Sequence, residues 1–340
     1  MRNRIARLVT AALLSSACCI AAAASSYQLA ASIDLVAPDR WDYVYYDNSS
    51  GRVFVAHGDR ISVVDPATRQ VVGELHGLAA AHGTTFDPES KLIFADDSGD
   101  GSTSAFDAAT LEVKFKLASG KDSDGVLFEP VTGTVLVIDG DQGDITAIDG
   151  QHTRPSQTIK VGGGLEAAVA DGQGDVFVNG AERQEISRVD IRKHAVTARW
   201  SIQGCERPHG IAYDPASRHI FVSCVNQLLF VVDSSDGQVL ARLPIGKGTD
   251  AAAFDPLRKR VFSSNGKDGT LTVIQQSQDG SYQVIDTVST AVSGRTMDID
   301  PATGALFIAA AKVDSSAAPV NGRPKLIAGS LQLLIYEPTR

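Results

Sequence analysis

Residues 211–245 read IAYDPASRHIFVSCVNQLLFVVDSSDGQVLARLPI. The stretch holds four short apolar runs: IAY, IFVS, LFVV and VLARLPI. They are rich in β-branched and aromatic residues and bounded by Asp-Pro, Asn-Gln and Asp-Gly steps, the signature of short strands joined by tight turns. Asp214 and Pro215 suit the first two positions of a type I turn. The Asp side chain can accept hydrogen bonds from backbone amides two residues on. The segment is therefore one four-stranded antiparallel meander.

The same order recurs along the chain. A turn acid follows an apolar run at Asp47, Asp87, Glu129, Asp171, Asp214, Asp255 and Asp300. The spacings are 40, 42, 42, 43, 41 and 45 residues, within the range of propeller blades. After each acid come a second strand (VFVA at Val53, LIFA at Leu92, VLVI at Val135, VFVN at Val176, VFSS at Val261, LFIA at Leu306) and a third that often closes on an acid (Asp65, Asp107, Asp190, Asp233). These acids read as turn formers.

The seventh unit runs out of chain after its third strand, LQLLIYE from Leu331, and an unassigned strand, YQLAASIDL, sits at Tyr27–Leu35. Pairing that strand into the last unit closes the ring and removes the exposed edges of an open array. The expected fold is all-β: a seven-bladed β-propeller of four-stranded blades, closed by the N-terminal strand, over residues 25–340 as one domain.

The pattern of strand, Asp-Pro turn, strand, strand-Val-Asp, turn-Gly-x-Val resembles the YVTN-repeat, or YncE-like, β-propeller proteins of bacteria. Ile220–Ile245 and Val53–Leu75 carry it best, although literal Tyr-Val-Thr-Asn is absent. The resemblance implies an exported seven-bladed propeller. Most members have no established activity, and one relative is regarded as a binder of single-stranded DNA.

Residues 1–24 are expected to lie outside the fold. Arg2, Arg4 and Arg7 precede an apolar run from Leu8 to Ile20 and four alanines at 21–24, which reads as a secretory signal peptide cleaved near Ala24. Lipidation at Cys18 or Cys19 is the lesser alternative, because Ser15-Ser16-Ala17 fits that pattern poorly. No later segment is apolar enough to span a membrane as a helix. Loss of the three leader arginines takes the formal net charge from −9 to −12. Such acidity disfavours nucleic acid and anionic membrane as partners. A periplasmic or secreted monomer is the expectation. Of four cysteines, Cys205 and Cys224 remain after cleavage, and an oxidising compartment makes a disulfide the default. A free thiol pair or metal ligation are the alternatives. If Tyr213 faces Ile220 across the turn, simple alternation sets His209 opposite Cys224.

In a propeller the first strand of each blade lines the axis. Counting back five residues from each turn acid gives Asp42, His82, Asp124, Glu166, His209, Asp250 and Arg295, all ionisable. The next residues (Tyr43, Gly83, Gly125, Ala167, Gly210, Ala251, Thr296) are mostly small. Strict alternation would put the ionisable set on the same strand face as the packing residues one before the acid, such as Phe86, Phe128 and Phe254. A polar break in a packing face is expected at functional sites. A merely solvated rim is the alternative, but it would mix in Ser, Thr, Asn and Lys. The ring is thus the candidate ligand site, with Trp41 as an aromatic wall or, equally, a core residue. His57, Asp59, Asp96, Asp97, Asp139, Asp141, Asn179, Glu182, Asn226, Asn265 and Lys267 are expected on the same face. Asp124, Glu166 and His209 are the candidate ligands of a divalent metal ion, the one cofactor the composition suggests.

There is no GxSxG, HExxH or Walker sequence. The first functional expectation is a binding or scaffold protein whose axial pocket takes a small polar or cationic ligand, a metal ion or an envelope protein. The second is a metal-dependent propeller enzyme, lactonase- or lyase-like, with Asp or His of the ring as general base.

Overall fold

The structure is a computed structural model that describes residues 25–149, 155–319 and 324–339. The expected signal peptide, 1–24, lies outside the described residues. The described residues form 28 strands, β1 to β28 in chain order, and no helix.

They assemble into seven four-stranded sheets. Six sheets run in sequence order, from the first strand at the axis to the fourth at the rim. The seventh has the order β1-β28-β27-β26. Its N-terminal strand β1 (Tyr27–Asp34) pairs antiparallel with β28 (Gln332–Pro338), which pairs with β27 (Leu306–Ala310). The closing strand is therefore the outermost one of the last blade, as the sequence implies.

The first strands are β2 (Trp41–Asp47), β6 (Ala81–Asp87), β10 (Ser123–Glu129), β14 (Leu165–Ala170), β18 (Pro208–Asp214), β22 (Thr249–Asp255) and β26 (Thr296–Ile299). Each touches the first strands of both neighbouring blades, and β26 touches β2, which completes the circle around the axis.

Second and third strands are buried on both faces because each blade is sandwiched between two others. Seven apolar clusters fill the seven gaps between blades. Between blades one and two, for example, Phe54, Ile61 and Leu75 pack on Ile93 and Phe106. Fourth strands alternate between half-buried and exposed positions, as in β17 (Ala195–Ser201). The turn acids hold the hairpin between first and second strands. Asp87 accepts the Glu89 N–H at 2.9 Å and the Ser90 hydroxyl at 2.6 Å, and Asp214 and Asp300 repeat the arrangement.

The disulfide Cys205–Cys224 is formed, with Cα atoms 5.3 Å apart. It ties the loop before β18 to the end of β19 (His219–Cys224).

Candidate functional site

The seven ionisable residues lie at one mouth of the axial channel, and a backbone irregularity sets six of them there, Arg295 excepted. In six blades the first strand carries a β-bulge at this level. In β6 the register jumps from Ala81↔Asp97 to Thr84↔Ala95, so His82 and Gly83 together oppose Asp96. In β18 it jumps from Pro208↔Cys224 to Ile211↔Val222. Two corrections follow. His209 does not face Cys224; Pro208 does. The charged set also does not continue the packing face, because the inserted residue breaks the alternation and re-aims the side chain.

Side chains opposite the bulges satisfy the backbone groups that the bulges release. Asp96 Oδ1 accepts the Gly83 N–H at 2.5 Å, and Ser223 Oγ accepts the Gly210 N–H at 3.2 Å. Asn179 Nδ2 donates to the His209 carbonyl at 2.7 Å. In the seventh blade, where the first strand has no bulge, the Ser264 hydroxyl of the preceding blade donates to the Arg295 carbonyl. Small residues at the next position let the strands crowd. A Cβ on Gly210 would sit 2.4 Å from the backbone of Ala251 and Ala252.

The ring residues are linked in blade order. His82 Nε2 lies 3.0 Å from Asp42 Oδ2, and its Nδ1 lies 3.6 Å from Asp124 Oδ1. His209 Nδ1 lies 3.1 Å from Glu166 Oε2 and 3.3 Å from Asp250 Oδ1. Arg295 reaches Asp250 at 3.0 Å and Asp42 at 3.7 Å. Each imidazole or guanidinium therefore bridges the carboxylates of the blades on either side. The chain is interrupted once. Between Asp124 and Glu166 two carboxyl groups are neighbours, and no cationic side chain among the described residues bridges them. Arg207, on the loop before β18, touches only Glu166, at 3.6 Å, and is largely exposed.

This arrangement sets the protonation states. Burial works against charge on His82, but Asp42, Asp96 and Asp124 outweigh it and raise the imidazole to about 10. Burial likewise opposes charge on His209, and its bonds to Asp250 and Glu166 raise it to about 10. Burial and the adjacent Glu166 charge push Asp124 up to about 8. For Asp250 burial acts upward too, yet the His209 bond and the Arg295 charge hold it below the usual carboxylate range. Opposite charges and desolvation pull in opposite senses here, and the count of close partners decides which wins.

Trp41 is buried in the cluster between blades seven and one, with the Arg295 guanidinium over its ring at 5.8 Å. The expected loop residues are mostly engaged elsewhere. Asp97 accepts the N–H groups of Ala79 and Ala80, Asp139 those of Lys121 and Gln142, and His57 bonds the Pro38 carbonyl and Ser62. Asp124, Glu166 and His209 do not form a ready metal centre: His209 Nδ1 lies between Glu166 and Asp250, and no group of three His, Cys, Asp or Glu among the described residues could hold a metal ion as placed.

Sequence reasoning passed over Tyr43. It is the single large residue in the otherwise small set behind the ring, which was the available signal. Its ring meets the His82 imidazole edge to face at 5.8 Å, and burial and the four ring carboxylates together push its hydroxyl well above the usual tyrosine range. Tyr43 also lines a chamber of about 430 Å³ directly under the ring. The chamber walls are Val126, Phe128, Ala168, Val169 and Ile211, with Asp124 and Asp250 at its roof.

Fold and ring together define a seven-bladed β-propeller with a charged axial mouth. No protein-family model matches the chain. Two curated relatives, the uncharacterized proteins YncE of Salmonella typhimurium and of Salmonella typhi, are 21% identical over 244 residues, 67% of this chain and 68% of theirs. Kuenenia stuttgartiensis hydrazine synthase superposes with a TM-score of 0.69 at 15% identity, over 81% of this chain and 93% of that one, a likeness of fold. The chain is a seven-bladed β-propeller that is similar in sequence to these YncE proteins.

Proposed function

We propose that the chain is an exported binding module whose axial mouth takes a ligand bearing a positive charge. One observation carries this reading. Six links of the ring join a basic side chain to a carboxyl group, and the seventh, Asp124 beside Glu166, joins two carboxyl groups. A ligand cation at that gap would complete the alternation. It would gain two charge-assisted hydrogen bonds in a recess where solvent screens weakly. The chain's own side chains already occupy the other links. The Cys205–Cys224 bridge supports work in an oxidising compartment, in line with the leader read at residues 1–24.

The test is a thermal-shift panel of ammonium, guanidinium and divalent metal cations on wild type, Asp124→Asn and Glu166→Gln. Metal content of the purified protein is measured alongside. The reading expects stabilisation of wild type by at least one cation, growing with concentration, and loss of that response in both variants. A ligand at a hundred times its Kd stabilises by about 2.7 kcal/mol. A panel with no response, or a response unchanged in both variants, overturns the reading.

A further inference from the structure

We infer that the ligand is an amphiphilic monoamine: a single ammonium group seated between Asp124 and Glu166, with an apolar body lodged in the chamber below. The inference rests on the reading above and deepens it.

Three observations meet at this place. The gap in the ring provides two carboxyl groups for one cation. The chamber of about 430 Å³ reaches Asp124, and most of its wall is aliphatic and aromatic, with Thr84, Thr85 and the Asp298 carboxyl as polar points, the profile of a small-molecule site. A divalent metal ion would use the carboxylates and leave the apolar walls to water. An organic cation uses both. The third observation is Tyr43. Tyr43 lines the chamber, and the four ring carboxylates lie near enough to its hydroxyl to push it, with burial, well above the usual tyrosine range. Its ring offers a π-face to an ammonium group, and its hydroxyl an acceptor.

Within the seven-residue ring, the charge count favours a ligand with one positive group. With both imidazoles protonated, the ring holds three cations (His82, His209, Arg295) against four carboxyl groups. One further cation neutralises it. The groups facing Asp124 are Glu166, His82, Asp42, Asp250, Tyr43 and Arg295. Under this set the Asp124 carboxyl keeps its proton to about 8, so an arriving ammonium must displace that proton. Binding then strengthens as pH rises. One displaced proton gives about a fifty-fold gain in affinity from pH 6 to pH 8.

The experiment is isothermal titration calorimetry of the full mature chain with 2-phenylethylammonium chloride. Methylammonium chloride is the tail-less probe and calcium chloride the metal probe, each at pH 6, 7 and 8. Expected are saturable binding of 2-phenylethylammonium at least tenfold tighter than methylammonium, the pH gain above, and loss of at least tenfold in Asp124→Asn. Tyr43→Phe keeps the π-face and should lose less than Tyr43→Leu. If methylammonium or calcium binds as well as the aromatic amine, and Asp124→Asn abolishes it, the amphiphile is overturned while the cation-binding mouth stands. If no probe binds, or Asp124→Asn changes nothing, the mouth itself falls and the amphiphile with it.

Discussion

The imidazole links make the fold's stability depend on alkaline pH, and the sign is fixed. His82 and His209 are raised in the folded chain from 6.5 to about 10. Their contribution is full below the unfolded value of 6.5 and drains away as pH rises through about 10. In between, the folded chain holds two protons that the unfolded chain has released. Each proton is worth about 1.4 kcal/mol per pH unit. The two side chains are only 18% and 19% exposed, so solvent screening trims this without removing it. From pH 7.5 to 9 the loss is on the order of 2–4 kcal/mol. Asp124, raised to about 8, adds loss of the same sign below pH 8. Asp250 is held low; it contributes throughout this window and so leaves the slope alone. The assay is urea unfolding at half-unit pH steps for wild type and His209→Gln. Wild type should lose stability steeply, and the variant should be less stable at pH 7.5 with roughly half the slope. A wild-type stability constant to within about 0.5 kcal/mol over the window, or equal slopes in both proteins, refutes the reasoning.

The remaining predictions concern the scaffold. Reducing Cys205–Cys224, or replacing both by Ser, opens a link across a sequence separation of 19 and should cost about 3 kcal/mol in urea unfolding; a loss under about 1 kcal/mol would contradict a role in clamping the loop before β18. Gly210→Ala forces a methyl to within 2.4 Å of the β22 backbone and should cost about 1–3 kcal/mol, visible as a lower Tm. Deleting residues 25–36 uncovers β28 and removes the buried side chains of Tyr27, Ile33 and Leu35. That is a loss of roughly 6 kcal/mol of burial, so the deletion should expose the chain to limited proteolysis, and a protease-resistant deletion would speak against closure by β1.

The blades were legible in the sequence because their cause is local. Strand runs, Asp-Pro turns and a near-constant repeat length fix the meander, and an incomplete last unit with a spare first strand fixes the closure. The identity of the ring residues was legible too, since position relative to Asp47, Asp87 and their counterparts survives any register. The orientation was not. A bulge adds one residue without changing the apolar pattern on either side, so alternation set His209 opposite Cys224, where the fold sets Pro208. The pairings within the ring were equally hidden. They join residues about forty positions apart, as in His82 with Asp42 and Asp124, or across the closure of the ring, as in Arg295 with Asp42, and depend on how closely the strands approach the axis. Asp97 and Asp139 looked like site residues, but their partners are loop amides that only the folded backbone brings near.

A crystal structure grown at pH 8.5 with 2-phenylethylammonium locates the bound cation directly. Density for its nitrogen should lie about 2.8 Å from carboxylate oxygens of both Asp124 and Glu166, with the phenyl group beside Tyr43 in the chamber. A cation bound elsewhere, with those two carboxylates left untouched at the mouth, would contradict the account.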